Sequence, residues 1–414
     1  MRRAWMVVAL LVAVLPAMPV DRTVAAAAAP ERRAPAEPRR AVTLPVTLDH
    51  NRMIVEVEFV RPDGGIRKAL AWVDTGNPDL MMGELLAREL GLALPEAKGE
   101  RAPEFVQATS PAPAMRFGSL PLDVEGLKTQ VRVGSRVMPG VPAEACLPAK
   151  ALRHLHVVLD YPARRMTVAR PGVLKPRGTA LPCRVNAETG LFLVAATLDG
   201  ESVPLGVDNG SAGTWVSDTL TSAWQARHPD WPRATGAVGS ANFFGFPFEA
   251  RGVLMRLPEI GIGALRARGV GLLGLDQSLF DWYSRKSAGP VLGFIGANVL
   301  EGFRLEIDFP NQMTWWQAGA PRRADDFDIV GLTLRPMGDS AVVVAGVVTK
   351  DGRPVVEGVQ PGDRLLRVGA LEVATATMGA VEEALRGKPG AARTLVLERG
   401  GERLTVEARV TRLP

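Results

Sequence analysis

The sequence predicts a mainly β chain built as two related halves and followed by a small α/β unit. Three observations predict this. Asp74-Thr75-Gly76 closes a strand-like run and is followed by Asn77, and a near-copy, Asp208-Asn209-Gly210-Ser211, lies 134 residues further on. Each motif ends the second arm of a hairpin pattern. Each is then followed by a helix-like segment and a pair of closing strand-like runs, so the order of elements occurs twice.

In the first half, Met53, Val55, Val57 and Phe59 alternate with Glu56 and Glu58, the pattern of a half-buried strand. Arg61-Pro62-Asp63-Gly64-Gly65 turns the chain, and residues 66–73 lead into Asp74. Asp-Gly is a strong turn signal because glycine accepts positive φ without steric cost. Residues 83–90 read as a short helix, 95–145 as irregular and rich in Pro and Gly, and 155–160 with 166–169 as closing strands around a 161–165 turn. The second half repeats the order. Residues 191–198 and 203–207 flank an Asp199-Gly200-Glu201 turn, 217–226 read as a helix, and 236–292 as irregular. Residues 303–309 and 313–316 close the unit. Aligning Asp160 with Asp308 aligns Leu147-Pro148-Ala149-Lys150-Ala151-Leu152 with Ile295-Gly296-Ala297-Asn298-Val299-Leu300. The expected halves span 42–175 and 178–320.

Composition bounds the reading. The chain has 414 residues, too many for one ordinary core, and is 47% hydrophobic and 22% charged, which excludes wholesale disorder. Met1-Arg2-Arg3 and the apolar run after it read as an export signal over 1–29, with a disordered Ala/Pro/Arg/Glu linker over 30–41. Pro16 and Pro19 break the apolar run short of the ~20 residues that a membrane span needs, so a stable span is not expected. The expected location is periplasmic or secreted. The +5 formal charge includes the arginines of signal and linker, and no basic stripe interleaved with aromatics points to nucleic acid. Cys146 and Cys183 are the two cysteines, either one disulfide or two buried thiols.

Val73-Asp74-Thr75-Gly76 and Val207-Asp208-Asn209-Gly210-Ser211-Ala212-Gly213-Thr214-Trp215-Val216 resemble the active-site loops of the pepsin and retropepsin superfamily, and Phe294-Ile295-Gly296 resembles the motif that packs behind such a loop. The resemblance covers about 42–320. It implies a double β-barrel with a cleft between the lobes and one catalytic Asp from each, Asp74 and Asp208, supported by Thr75, Gly76, Asn209, Gly210 and Ser211. It implies no metal and no cofactor, and a peptide or protein substrate. Both lobes lie in one chain, so a monomer suffices. The chain departs from the family pattern twice. Asn209 stands where the family has a Thr that braces the two loops, and Pro148 stands at the backing Gly of lobe 1, so that loop is expected to run differently. The stretch 236–248, rich in Gly and Phe, is a candidate flap. The two readings are an exported aspartic endopeptidase and a non-catalytic protein that binds peptides in a degenerate cleft.

The last unit, 328–414, resembles a PDZ domain and is expected to fold alone. The resemblance rests on the turn and strand Gly358-Val359-Gln360-Pro361-Gly362-Asp363-Arg364-Leu365-Leu366 and implies that Val330, Gly331 and Leu332 receive a peptide C-terminus by β-augmentation, the alternative being a unit that packs on the cleft as a lid and binds nothing. A helix with Val381, Ala384 and Leu385 on one face follows. His154 and His156 lie two apart near a strand start, read as a partly exposed edge, and lack the third ligand that a zinc site needs. Asp160 and Asp308 read as turn formers.

Overall fold

The computed structural model describes residues 41–95, 105–138, 140–236, 252–319, 325–337 and 341–414. The expected signal and linker, and residues 237–248 of the candidate flap, lie outside the described residues. Among the described residues no helix is long and apolar enough to cross a membrane.

Alternation along Arg52–Val60 buries Met53, Val55, Val57 and Phe59 and leaves Glu56 exposed. This strand pairs antiparallel with Ile66–Asp74. Their turn is closed by Gly64 N donating to Arg61 O at 2.9 Å, with Gly64 at φ +83°. The matching hairpin joins Phe192–Leu198 to Glu201–Val207 through Asp199 and Gly200, both at positive φ (47° and 80°). That pair of angles belongs to the tight turn whose twist matches the strands.

Each strand that leads into an aspartate loop is flanked by a parallel partner, Ala145–Pro148 in the first half and Gly293–Ile295 in the second. A short strand follows each aspartate loop, Leu80–Gly83 and Thr214–Ser217, and runs into a helix, Glu84–Glu89 and Asp218–Arg227. The two lobes are therefore the same arrangement made twice.

Six strands join the lobes from below in the order Ala41–Pro45, Arg165–Ala169, His156–Asp160, Phe303–Asp308, Met313–Ala318 and Thr179–Val185. The central pair places His156 opposite Asp308 and Asp160 opposite Arg304. Asp160 Oδ1 accepts from Ala163 N at 3.0 Å, and Asp308 Oδ2 accepts from Asn311 Nδ2 at 2.8 Å, so both aspartates close turns. His156 does not lie on an exposed edge. It is buried on a central strand, 2.9 Å from Glu306 and stacked on Trp315. One apolar core runs through this sheet into both lobes.

The stretch expected as irregular over 236–292 contains a long hairpin, Val253–Ile262 with Leu265–Leu275, and a helix, Gln277–Ser284. Glycines 261, 263, 269, 271 and 274 mask the strand pattern in the sequence. Gly271 is needed for packing: a Cβ there would lie 2.2 Å from the Phe327 ring.

The C-terminal unit is a six-stranded sheet with the helix Met378–Leu385 against it, the α/β composition that the sequence predicts. Its core is not separate. Val342, Leu365, Val381 and Leu395 belong to one apolar cluster with Trp215, Leu254, Leu273 and Phe294 of the second lobe. Asp326 ties the junction, accepting from Arg256 Nη1 at 2.8 Å, Gly271 N at 3.1 Å and Asn298 Nδ2 at 3.1 Å. The unit expected to fold alone thus shares its core with lobe 2.

Val330, Gly331 and Leu332, the candidate peptide-binding residues of this unit, are all buried. Val330 N donates to Leu385 O at 3.1 Å, Gly331 O accepts from Val348 N at 2.9 Å, and a Cβ on Gly331 would lie 2.3 Å from Val355 Cγ2. These backbone groups serve the packing of the unit and are not open to a ligand.

The same helix docks on lobe 1 through a buried ion pair between Glu382 and His50, with Arg386 also bonded to Glu382. Burial pushes the Glu382 carboxyl up, but His50 and Arg386 more than offset this and carry it from 4.5 down to about 2. A depressed value in the folded state means stability that is present above pH 4.5 and lost as pH falls toward 2. Glu382→Gln is expected to cost about 3 kcal/mol at neutral pH, the scale of breaking a buried pair. Chemical denaturation of both proteins across that acid range should show the difference closing as pH drops.

Candidate active site

Two loops meet at the cleft between the lobes, and glycine decides how closely. A Cβ on Gly76 would lie 2.3 Å from Asp208 Cγ, and one on Gly210 would lie 2.2 Å from Asp74 Cγ. Each glycine thus makes room for the carboxyl of the opposite lobe. The two carboxyls approach within hydrogen-bonding reach of each other. Both are buried.

The loops hold the carboxyls from below. Gly76 N donates to Asp74 Oδ1 at 3.0 Å, while Gly210 N and Ser211 N donate to Asp208 Oδ1 at 2.8 and 3.0 Å. Ser211 Oγ donates away from the carboxyls, to Gly213 O at 2.8 Å. On the side of lobe 1 the Cys146 thiol lies 3.6 Å from Asp74 Oδ2 and accepts from Asn77 Nδ2 at 3.4 Å.

Thr75 and Asn209 brace the loops beneath the dyad. Thr75 N donates to Asn209 Oδ1 at 2.8 Å, Asn209 N donates to Thr75 Oγ1 at 3.2 Å, and Thr75 Oγ1 donates to Val207 O at 2.8 Å. The amide oxygen of Asn209 accepts the backbone bond, so the exchange between lobes is reciprocal despite the substitution. The buried Tyr161 hydroxyl packs on the Asn209 side chain.

Pro148 does not force the lobe 1 backing loop onto a different course. Pro148 (φ −80°, ψ 163°) and Gly296 (φ −94°, ψ 179°) both precede a one-turn helix in nearly the same conformation. Ala149 N donates to Asn77 O at 3.2 Å just as Ala297 N donates to Ser211 O at 2.8 Å. What proline removes is one donor, since Gly296 N bonds Thr214 Oγ1 at 3.1 Å. Gly296 has no room for a side chain, because a Cβ would sit 2.1 Å from Gly213 O.

The lobes differ in one packed pair. Trp72 lies opposite Cys146 in lobe 1, and Gly206 lies opposite Phe294 in lobe 2. Large and small have exchanged strands, which keeps the layer filled. The exchange places an indole in the cleft wall and a thiol beside Asp74. Both cysteines are free buried thiols, so the disulfide alternative falls. Burial pushes the Cys146 thiol well up, with Asp74 adding to it, and pushes Cys183 up to about 12.

The cleft above the dyad has a volume of about 350 Å³ and is lined by large apolar side chains, among them Trp72, Met81, Phe105, Met138, Trp215 and Trp282. Arg52 supplies a cation to the wall. Its Nε donates to Gly210 O at 2.9 Å and its guanidinium stacks over Trp72 at 4.9 Å. Tyr283 also lines the cleft, so both tyrosines of the chain lie close to the dyad. The sequence reading finds none of Arg52, Cys146, Tyr161 and Tyr283. Arg52 carries one readable signal, a cation at the start of an apolar strand directly before the aspartate hairpin.

Burial pushes Asp74 up, opposed by the bonds from Asp208, Gly76 and Cys146 and by the Arg52 charge. Burial pushes Asp208 well above the carboxylate range, and the Asp74 charge beside it adds to that. Two carboxyls this close hold one proton between them at a pH where separate ones hold none. Among the described residues no group of His, Cys, Asp and Glu is arranged to hold a metal ion.

No family model matches the chain, and no curated protein matches it. Among solved structures it is similar to an aspartic proteinase from Irpex lacteus at 13% identity and TM-score 0.40, over 69% of this chain and 99% of that one. It is also similar to the basic 7S globulin of soybean at 12% identity and TM-score 0.37, over 68% of this chain and 96% of that one. These are distant likenesses to the pepsin-like fold, and the reading of the site rests on its own geometry.

Asn209→Leu tests the brace. It leaves Thr75 N buried without its acceptor, at an expected cost of about 1–3 kcal/mol. Asn209→Thr should retain most of the stability, and denaturant unfolding of the three proteins reads both effects.

Proposed function

We propose that the protein is an exported aspartic endopeptidase in which Asp74 and Asp208 share one proton and activate one water. The observation that carries this is the reciprocal fit of the loops, each glycine clearing space for the opposite carboxyl. A protein that only bound peptides would have no need of two buried carboxyls within bonding reach of each other, a costly arrangement for folding.

The chemistry follows from the charge state. The ionised carboxylate takes a proton from water as the oxygen attacks the peptide carbonyl carbon, while the protonated carboxyl donates to the carbonyl oxygen. The tetrahedral diol then collapses as the protonated carboxyl gives its proton to the leaving nitrogen and the ionised one takes a proton from a diol hydroxyl, so the dyad returns to one proton. Bracing by Thr75 and Asn209 fixes the separation, so little reorganisation is needed. The apolar walls suit peptides with large apolar side chains beside the cleaved bond, and burying them expels water from the dyad.

Activity requires one proton on the pair. It should rise on the acid side as the first carboxyl ionises and fall as the second does. Because both carboxyls are pushed up, the alkaline limb should lie above the ordinary value of 3.8. Asp74→Asn and Asp208→Asn should each lower kcat by several orders of magnitude. A folded-state value that is raised means stability present at low pH and lost as pH rises through it. Asp208→Asn should therefore unfold at a temperature equal to or above that of the wild type at neutral pH. Assay of a diverse peptide library across acid and neutral pH, together with thermal unfolding, checks both. Peptide binding without cleavage by the wild type would favour the binding-protein reading instead.

A further inference from the structure

The guanidinium beside the dyad is held from the C-terminal unit. Arg52 begins the strand Arg52–Val60, and the two residues before it, His50 and Asn51, form its turn at φ 51° and 58°. They are the two central residues of the tight hairpin turn that pairs Asp49 with Arg52, a turn that calls for positive φ at both positions. The helix Met378–Leu385 is what it packs against. Thr377, the cap of that helix, bonds Asp49, and Gly379 N donates to Asp49 Oδ2 at 3.4 Å. Glu382, one turn on, pairs with His50. Met378 N donates to Gly140 O at 2.9 Å, beside Met138 of the cleft wall.

We propose that Arg52 is a positioning residue of the dyad, and that the C-terminal helix, docked on the turn before it, holds it there. The inference rests on the aspartic-peptidase reading of the site. Charged groups face Arg52 from all three parts of the chain: Asp49 and Asp74 from lobe 1, Asp208 from lobe 2 and Glu382 from the helix. Its Nε bond to Gly210 O crosses from lobe 1 to the loop that carries Asp208. Around the dyad the other titratable groups among the described residues are the Cys146 thiol and the Tyr161 and Tyr283 hydroxyls, all neutral donors or acceptors in the working range. Arg52 is thus the cation that biases the dyad toward its ionised forms. The C-terminal unit acts on the chemistry without lining the cleft, by fixing the turn from which that cation projects.

Gly379 allows the docking to be tested apart from the cation. Its backbone is not in the left-handed region, so alanine is unstrained there and favours the helix. A Cβ, however, would meet His50 N and Asp49 Oδ1 at 2.5 Å, so helix and turn cannot both stay in place.

The experiment uses the full chain with two readouts. One is the pH profile of peptide cleavage. The other is the carboxyl-carbon NMR titration of aspartate-labelled protein, which follows the dyad whether or not the protein cleaves. Arg52→Gln should move both limbs, and the dyad titration, up by about one pH unit. Arg52→Lys keeps the charge, so the limbs should move by less than half as much while kcat falls. A residue that only stabilised the fold would lower activity at every pH and leave the limbs in place. Gly379→Ala should speed exchange of the Met378 and Gly379 amides and shift the titration in the same direction, by a few tenths of a unit. Should Arg52→Gln fail to fold, Arg52→Lys and Gly379→Ala still decide the matter. An unmoved titration in Arg52→Gln overturns the role of Arg52. Freed amides with an unmoved titration, or amides that stay protected in Gly379→Ala, overturn the clamp. A wild type that cleaves nothing while its dyad shifts as expected refutes the peptidase reading alone, and the coupling of Arg52 and the helix to the two carboxyls stands apart from it.

Discussion

Two missing methyl groups set the geometry on which the rest of the molecule depends. Gly76 and Gly210 let each loop reach across until its backbone lies against the carboxyl of the other lobe. Any side chain at either position would overlap a carboxyl and push the lobes apart. Once the loops are that close, Thr75 and Asn209 can exchange hydrogen bonds beneath them, and the separation of the carboxyls becomes a property of the whole fold. The six strands joining the lobes serve the same end. Their register fixes one half against the other over an apolar core that leaves little freedom for the lobes to slide.

The two halves are repeats, yet the cleft between them is not symmetric. Trp72 with Cys146 and Gly206 with Phe294 fill equivalent layers with the volumes reversed. Packing is conserved by the exchange, and chemistry is not. Lobe 1 gains a flat aromatic surface on which Arg52 stacks, and a small polarisable group beside Asp74. Lobe 2 gives Asp208 an additional backbone donor, Ser211 N. The two carboxyls therefore sit in different fields, with the cation and thiol weighing on Asp74, the charge of its neighbour on Asp208, and burial acting on both. Unequal environments are what allow one member of such a pair to keep a proton while the other gives it up.

The C-terminal unit enters this arrangement as a structural participant. Phe327 fills the space that Gly271 leaves open, Asp326 satisfies three donors of lobe 2, and the helix Met378–Leu385 grips the turn at His50. The chain thus ties both lobes to a third body, and it does so with buried charge as well as apolar contact. Such contacts are sensitive to pH and to displacement of one partner.

The sequence by itself determined the repeat, the hairpins, the two aspartate loops and the α/β character of the last unit. These are legible because they are local: alternation along residues 53–59, Asp-Gly turns, and short motifs that recur in the same order. It also showed Asn209 as a departure from the family pattern, but not that the amide oxygen would do the bracing, since that depends on where the opposite Thr75 lies. The hairpin over residues 253–275 was hidden because its glycines answer to Phe327 and Thr221, partners far away in the chain. Pro148 looked disruptive because proline fixes φ, yet the backing position needs an angle that proline already has. Tertiary structure alone decided that Arg52, Cys146, Tyr161 and Tyr283 gather around the dyad. It also decided that Val330, Gly331 and Leu332 are spent on internal packing. The physical reason is the same in each case: these residues owe their roles to surfaces brought together by the chain's long-range pairing, and no local pattern encodes what a strand will face on its far side.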